Sequence, residues 1–208
     1  MSKLTFALSR GRILEETLPM FEKIGLPVKN LYNPGRQLIF DEGDFRFFII
    51  RPTDVPTFIE YGTADIGIVG KDTIMEGDYN LFDVLDIKIG VCRMSVAMPV
   101  DKKLPENGII RIATKYPGIA ENYFASKGRQ IEIIKLYGSM EIAPIVGIAD
   151  AIVDVVATGK TLKENGLKEI EIIDNYVSSH LVVNRGSFYD KNEEISNILF
   201  QLEKLIND

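Results

Sequence analysis

The sequence predicts an α/β fold of two lobes, with mixed sheets and a cleft between the lobes. Short apolar strands alternate with amphipathic helices along the chain. The strand-and-helix units fall into two clusters, divided by a loop over 99–108 that holds Pro99, Pro105 and several charges. No repeat, low-complexity tract or flexible linker separates the clusters, so the lobes are expected to be closely coupled. The expected first lobe is discontinuous, 1–92 plus 175–208, because the last apolar helix can return to it; the second lobe is 93–174.

The elements follow in order. Leu4–Leu8 reads as a strand and Ser9-Arg10-Gly11-Arg12 as the turn after it. Ile13, Leu14, Leu18, Phe21 and Ile24 recur near helical spacing, and Gly25 supplies the stop. Leu38–Phe40 and Phe45–Ile50 flank Asp41-Glu42-Gly43-Asp44, a hairpin signal. Thr53 is the expected N-cap of a helix through Tyr61, with Pro56 in its first turn. Ala64–Val69 is a strand ending at Gly70, Lys71–Glu76 a short helix, and 81–99 extended.

In the second cluster Ile109–Ala113 is a strand, Gly118–Lys127 a helix and Ile131–Leu136 a strand. Met140–Gly147 is a helix, Ala151–Val156 a buried strand, and a loop and short helix follow. Glu169–Ile173 and Leu181–Val183 are extended again. Asn192–Ile206 closes the chain as a helix with one apolar stripe.

Composition bounds the function classes. The 208 residues are 46% hydrophobic and 26% charged, ordinary for a globular protein able to bury a core. No apolar run approaches the roughly 20 residues of a membrane span, and the N-terminus lacks a signal peptide's apolar region and cleavage site. The one cysteine, Cys92, lies in the apolar stretch IGVCRMSVAM and reads as a buried structural thiol; a lone thiol fits a cytoplasmic setting. The net charge of −6 argues against general nucleic-acid binding, which needs a basic face, but not against small anions held by local Arg and Lys groups.

The segment Asp150 to Leu162 is where chemistry is expected. A buried strand ends near Val156 and a helix starts near Lys160, so Thr158 and Gly159 form a tight turn at a helix N-terminus. Such a turn aims backbone N–H groups at one point, where an anion is favoured. Gly159 is expected to clear the approach, the Thr158 and Thr161 hydroxyls to add donors, and Lys160 to add charge. The Gly159-Lys160-Thr161 triplet is not a Walker A loop, because Asp154 stands where that motif needs its first glycine. A carboxylate there repels a triphosphate but suits the hydroxyls of a phosphorylated sugar. On the local pattern, an N-capped helix with no ligand fits equally.

The pattern Glu141-x5-Gly147-x-Ala149-x2-Ile152-x-Asp154-Val155-x2-Thr158-Gly159-x-Thr161-Leu162 resembles the signature of ATP phosphoribosyltransferases, which open histidine biosynthesis. Every fixed position is filled from Glu141 to Leu162. Family-like segments also include Ser9-Arg10-Gly11-Arg12, Arg51-Pro52-x-Asp54-Val55-Pro56, Gly62-x-Ala64-Asp65-Ile66-Gly67-Ile68-x-Gly70-x-Asp72 and Ala113-Thr114-Lys115-Tyr116-Pro117, so the resemblance covers nearly the whole chain.

The resemblance implies a periplasmic-binding-protein-like (type II) arrangement and a pentosyltransferase that joins N1 of ATP to C1 of 5-phosphoribosyl 1-pyrophosphate (PRPP), releasing pyrophosphate. It implies Mg²⁺ held mainly by substrate phosphates, and no covalent protein nucleophile. PRPP is assigned to Ala157, Thr158, Gly159, Lys160 and Thr161 at its 5-phosphate, and to Asp154 and Glu141 at the ribose hydroxyls, with helix capping the alternative for Glu141. Arg51 and Arg36 are expected to clamp pyrophosphate, and Arg51, Arg36 and Asp154 to act in catalysis. Arg10, Gly11, Arg12, Lys71 and Asp72 are expected on anionic groups of ATP or pyrophosphate, and Tyr116 to stack on adenine or pack internally. His180, the only histidine, reads as structural.

The chain resembles the family's short form, which lacks an added C-terminal histidine-binding domain and works with a regulatory subunit related to histidyl-tRNA synthetase. That implies a hetero-octamer with a homodimer as catalytic unit, and feedback inhibition that needs the partner. Two other readings stay open: a two-lobed solute-binding module without catalysis, and a phosphoribosyltransferase for another base.

Overall fold

The computed structural model of the chain describes residues 3–207. Residues 1, 2 and 208, which the expected first lobe includes, lie outside the described residues.

Strand β1 (Leu4–Ser9) is largely buried on both faces, and Gly11, at φ 92°, turns the chain into helix α1 (Arg12–Lys23). A side chain at that φ is strained, so the turn demands glycine. Leu14, Thr17, Leu18 and Phe21 form the buried stripe of α1. Strands β2 (Ile39–Glu42) and β3 (Phe45–Ile50) pair antiparallel across the Gly43 turn. Helix α2 (Val55–Glu60) follows a 3₁₀ turn at Pro52–Asp54, which moves the cap position from the expected Thr53 to Asp54. The Thr53 hydroxyl donates to Asp54 Oδ1 at 3.3 Å instead.

Next come β4 (Ile66–Gly70), α3 (Lys71–Glu76), β5 (Leu81–Asp86) and β6 (Cys92–Pro99). After the proline-bearing loop run β7 (Ile110–Thr114), α4 (Pro117–Ser126), β8 (Ile131–Lys135), α5 (Ile142–Ile145), β9 (Ala151–Val156) and α6 (Lys160–Glu164). The chain continues through β10 (Leu167–Val177), β11 (Ser179–Asn184), α7 (Arg185–Asp190) and α8 (Asn192–Asn207). Helix α7 has no counterpart in the sequence reading, and α5 is shorter than the expected Met140–Gly147. Among the described residues no helix is long and apolar enough to cross a membrane.

The chain divides into two compact units: the described residues of 1–74, 78–90 and 178–208, and those of 75–77 with 91–177. The first unit is built on a sheet of order β2-β3-β1-β4-β11-β5. Its β1 runs parallel to β3 and β4, while β11 is antiparallel to β4 and β5. Phe6, Phe21 and Phe47 centre its core, with Phe6 and Phe47 stacked at 5.1 Å, and Ile195, Ile198 and Leu202 of α8 join the same cluster. Buried Asp65 accepts bonds from the Thr5 N–H (2.7 Å), Ser187 Oγ (2.6 Å) and Lys191 Nζ (2.7 Å). A buried carboxylate so fully partnered ties the C-terminal helices to β1 and β4.

The second unit is built on a sheet of order β10-β6-β9-β7-β8, with β7 parallel to β8 and β9 and β6 antiparallel to β9 and β10. Strand alternation gives it two apolar faces. Met94, Val96, Ile112 and Val153 pack on one, and Ala97, Ala113, Ile152 and Val156 on the other.

Candidate active site

The second face of the second unit's sheet carries the candidate site. Along β9 the alternation puts Ile152, Asp154 and Val156 on one side, and Ala143, Met140 and Leu162 cover the apolar pair. Asp154 stands at the open end of that row, half-buried, with one carboxylate oxygen accepting the Val155 N–H at 2.8 Å. A cavity of ≈ 210 Å³ opens there, lined by Asp154, Glu141 and the turn 157–161. Every residue that the sequence assigned to PRPP borders this one cavity.

The turn has a definite backbone. Gly159 takes the left-handed conformation (φ 74°, ψ 2°) as N-cap of α6, and Thr158 Oγ1 accepts the Lys160 N–H at 3.3 Å. A Cβ on Gly159 would meet Arg93 Nη2 at 3.6 Å and Glu169 Oε1 at 3.7 Å, ordinary contacts within the protein. The glycine is therefore required by its φ, which corrects the expectation that it clears the approach to the turn. With only five residues in α6, the helix dipole adds little, and the N–H groups of the turn carry the attraction for an anion. Thr161 and Lys160 are exposed, Lys160 with Glu164 at 3.7 Å. Glu141 holds the N-cap position of α5, but its side chain makes no capping bond; it borders the cavity instead.

The turn is braced from within the unit. In the antiparallel ladder of β6 and β9, Arg93 lies opposite Val156 and Ser95 opposite Asp154. Arg93 donates from Nη1 to the Ala157 carbonyl at 3.0 Å, and from Nε to Glu169 Oε2 at 2.7 Å, with Nη2 on the other carboxylate oxygen. The Ser95 hydroxyl also donates to Glu169, at 2.8 Å. Sequence reasoning missed all three residues. The available signal was an arginine inside an apolar strand, which must find a partner when the strand is buried.

In the first unit, Arg51, Arg10 and Lys71 directly follow three neighbouring strands, β3, β1 and β4. Because these strands run parallel, the three cations share the sheet's carboxyl edge, where open α/β sheets bind ligands. The Arg10 and Arg51 guanidinium groups, and that of Arg36 in the Pro34 turn, are exposed and bond no partner among the described residues. Arg10 and Gly11 border a second cavity of ≈ 290 Å³, with Leu31 and Tyr32. Arg12 instead pairs with Glu16 on α1 at 2.5 Å, and the Asp72 carboxylate lies against Gly70.

Lys71 is committed to Asp83 (2.5 Å), which also bonds His180 Nδ1 at 2.7 Å. The histidine thus has the structural partner its apolar setting calls for. Burial raises the Asp83 carboxyl, but the His180 and Lys71 bonds outweigh that and hold it below its ordinary value. Tyr116 needs correction: it is 2% exposed and packs in the core with Val96, Ile112 and Val153. Its ring is enclosed in that cluster, with Lys115 Nζ 4.7 Å from the ring centroid, and so offers no face for adenine.

Comparison with known proteins agrees with this geometry. The family model described as ATP phosphoribosyltransferase matches residues 51–204. An ATP phosphoribosyltransferase of Citrifermentans bemidjiense is 50% identical over 98% of this chain and 98% of its own length. ATP phosphoribosyltransferase 2 of Geobacter sulfurreducens is 51% identical over 97% of each. Among solved structures, a chain of the ATP phosphoribosyl transferase (HisG:HisZ) complex from Thermotoga maritima superposes with a TM-score of 0.86 at 36% identity, over 98% of both chains. A substrate binding protein of an amino acid ABC transporter superposes with a TM-score of 0.60 at 14% identity, over 99% of this chain and 92% of that one. At that identity the likeness concerns the fold alone, and it is the periplasmic-binding-protein-like fold expected.

Proposed function

This chain belongs to the ATP phosphoribosyltransferase family, and we propose that it holds PRPP in the cavity of the second unit while N1 of ATP displaces pyrophosphate from C1 of the ribose. One observation carries the assignment: Asp154, Glu141 and the turn 157–161, drawn from separate elements, border the same cavity. The turn's amides and the Thr158 and Thr161 hydroxyls suit the 5-phosphate. The two carboxylates suit the ribose hydroxyls and the positive charge that grows on C1.

The bond from C1 to the pyrophosphate oxygen breaks with its electron pair leaving on pyrophosphate, and the N1 lone pair forms the new bond. Adenine N1 is unprotonated at neutral pH, so no protein base is required. The protein's task is orientation and electrostatic stabilisation. We assign Arg51 and Arg36 to the departing pyrophosphate, and Arg10 and Gly11 to anionic groups of either substrate. Mg²⁺ fits as a companion of the phosphates, since oxygen donors suit it and Asp154 and Glu141 offer only two carboxylates at the cavity; it would neutralise charge on the leaving group.

The likeness to a chain of a two-protein complex supports a protein partner; we propose that this partner is a regulatory subunit resembling histidyl-tRNA synthetase, joined in a hetero-octamer with a catalytic homodimer, and that the enzyme works in the cytoplasm. Pyrophosphate release on mixing ATP, PRPP and Mg²⁺ tests the proposal, with other nucleobases as controls. Release with ATP alone supports it; release with another base only, or with none, overturns it.

A further inference from the structure

The turn assigned to the ribose phosphate is held from behind by residues distant in sequence, and we propose that Arg93, set by Glu169, is a positioning residue that orients this turn for PRPP. The inference rests on the assignment of 157–161 to the 5-phosphate.

Arg93 is fully engaged. One edge of its guanidinium grips both Glu169 oxygens, and the remaining nitrogen, Nη1, donates to the Ala157 carbonyl at 3.0 Å. The carboxylate balances its charge, so Arg93 serves the cavity through geometry more than through its field. The planar fork is what makes both contacts possible at once; a lysine ammonium has no such edge. Glu169 is fixed in turn by the Ser95 hydroxyl at 2.8 Å, and it lies beside a register shift in the β10–β6 ladder, the kind of irregularity that re-aims a side chain. The Arg93 bond, against burial and with the help of Ser95, holds the Glu169 carboxyl below its ordinary value, so the pair stays charged through the neutral range.

The consequence for the turn follows from the peptide bond. All peptides among the described residues are trans. A trans peptide points its C=O and its N–H in opposite directions. Holding the Ala157 carbonyl on Arg93 therefore sends the Thr158 N–H away from the arginine, just before Gly159 takes its left-handed conformation. Arg93 thus sets the direction of the first amide of the cradle without touching the ligand.

The test compares wild type, Arg93→Ala, Arg93→Lys, Glu169→Gln and Ser95→Ala by PRPP titration calorimetry and steady-state kinetics. Loss of Arg93 is expected to raise KM and Kd for PRPP roughly 10- to 100-fold, with KM for ATP near wild type. Lysine does not rescue, whereas free guanidinium restores PRPP affinity to Arg93→Ala. Wild-type PRPP affinity in folded Arg93 variants overturns the proposal, as does an equal loss for both substrates that guanidinium leaves unrepaired. Should Arg93→Ala fail to fold, Ser95→Ala and Glu169→Gln carry the test: selective weakening of PRPP supports it and unchanged affinity overturns it. Thr161→Val separates the two levels. If that variant binds PRPP like wild type, the cradle assignment itself fails; if it binds weakly while the Arg93 variants bind normally, only the positioning role fails.

Discussion

Arg10 and Arg51 stand side by side at the carboxyl ends of parallel strands, because Ser9 is in register with Ile50 and the Arg10 N–H donates to the Ile50 carbonyl at 2.8 Å. Both guanidinium groups are exposed and bond no partner among the described residues, so two cations on neighbouring strand ends stand to gain from a shared anion.

Arg51→Ala is therefore expected to lower kcat by about 10²- to 10³-fold, the scale for one electrostatic stabiliser. Stability should hold, since the exposed Arg51 guanidinium bonds no partner among the described residues. Single-turnover rates check this, and a near wild-type rate removes Arg51 from the clamp.

Substitutions in the turn should separate binding from folding. Thr161→Val leaves an exposed position on α6 and should weaken PRPP binding with an unchanged urea midpoint. Gly159→Ala should do both, because a side chain at φ 74° costs about 1–2 kcal/mol. Calorimetric titration alongside urea unfolding distinguishes the two patterns.

Acid stability should report on Asp83. Its folded-state pKa lies below its unfolded value of 3.8, so its contribution is fully present above that value and is lost as pH falls through the folded pKa. Asp83→Asn should lower the urea midpoint at neutral pH, and the gap to wild type should close in acid. A gap that is constant with pH would contradict the ionised Asp83 bridge between His180 and Lys71.

Regulation should depend on the partner. Histidine is expected to inhibit the purified chain poorly and to inhibit it well once a protein resembling histidyl-tRNA synthetase is added. Inhibition constants with and without that protein check this division of labour.

Sequence and structure agree best where local chemistry decides the outcome. The strand Ala151–Val156 and the Thr158-Gly159 turn were legible because a short apolar run, a turn-forming glycine and a following helix are all short-range features, whereas the left-handed φ that requires the glycine was not. Helix α7 was not, because its six residues RGSFYD carry no apolar stripe; Asn184 caps it by accepting the Ser187 N–H at 2.9 Å. The length of β10 was hidden by register shifts that break its alternation. Tyr116 stayed open between stacking on adenine and internal packing, because the sequence does not tell which way a residue before proline turns; the structure buries it. Arg93 was missed although it is a charge in an apolar run, because its partner Glu169 lies 76 positions away and only the sheet order brings them together.

A crystal structure with PRPP bound tests the central claim most directly. The account expects the 5-phosphate within hydrogen-bond distance of the amides of 158–161, and the ribose hydroxyls on Asp154 or Glu141. PRPP seated elsewhere, with the turn making no contact to phosphate, would contradict it.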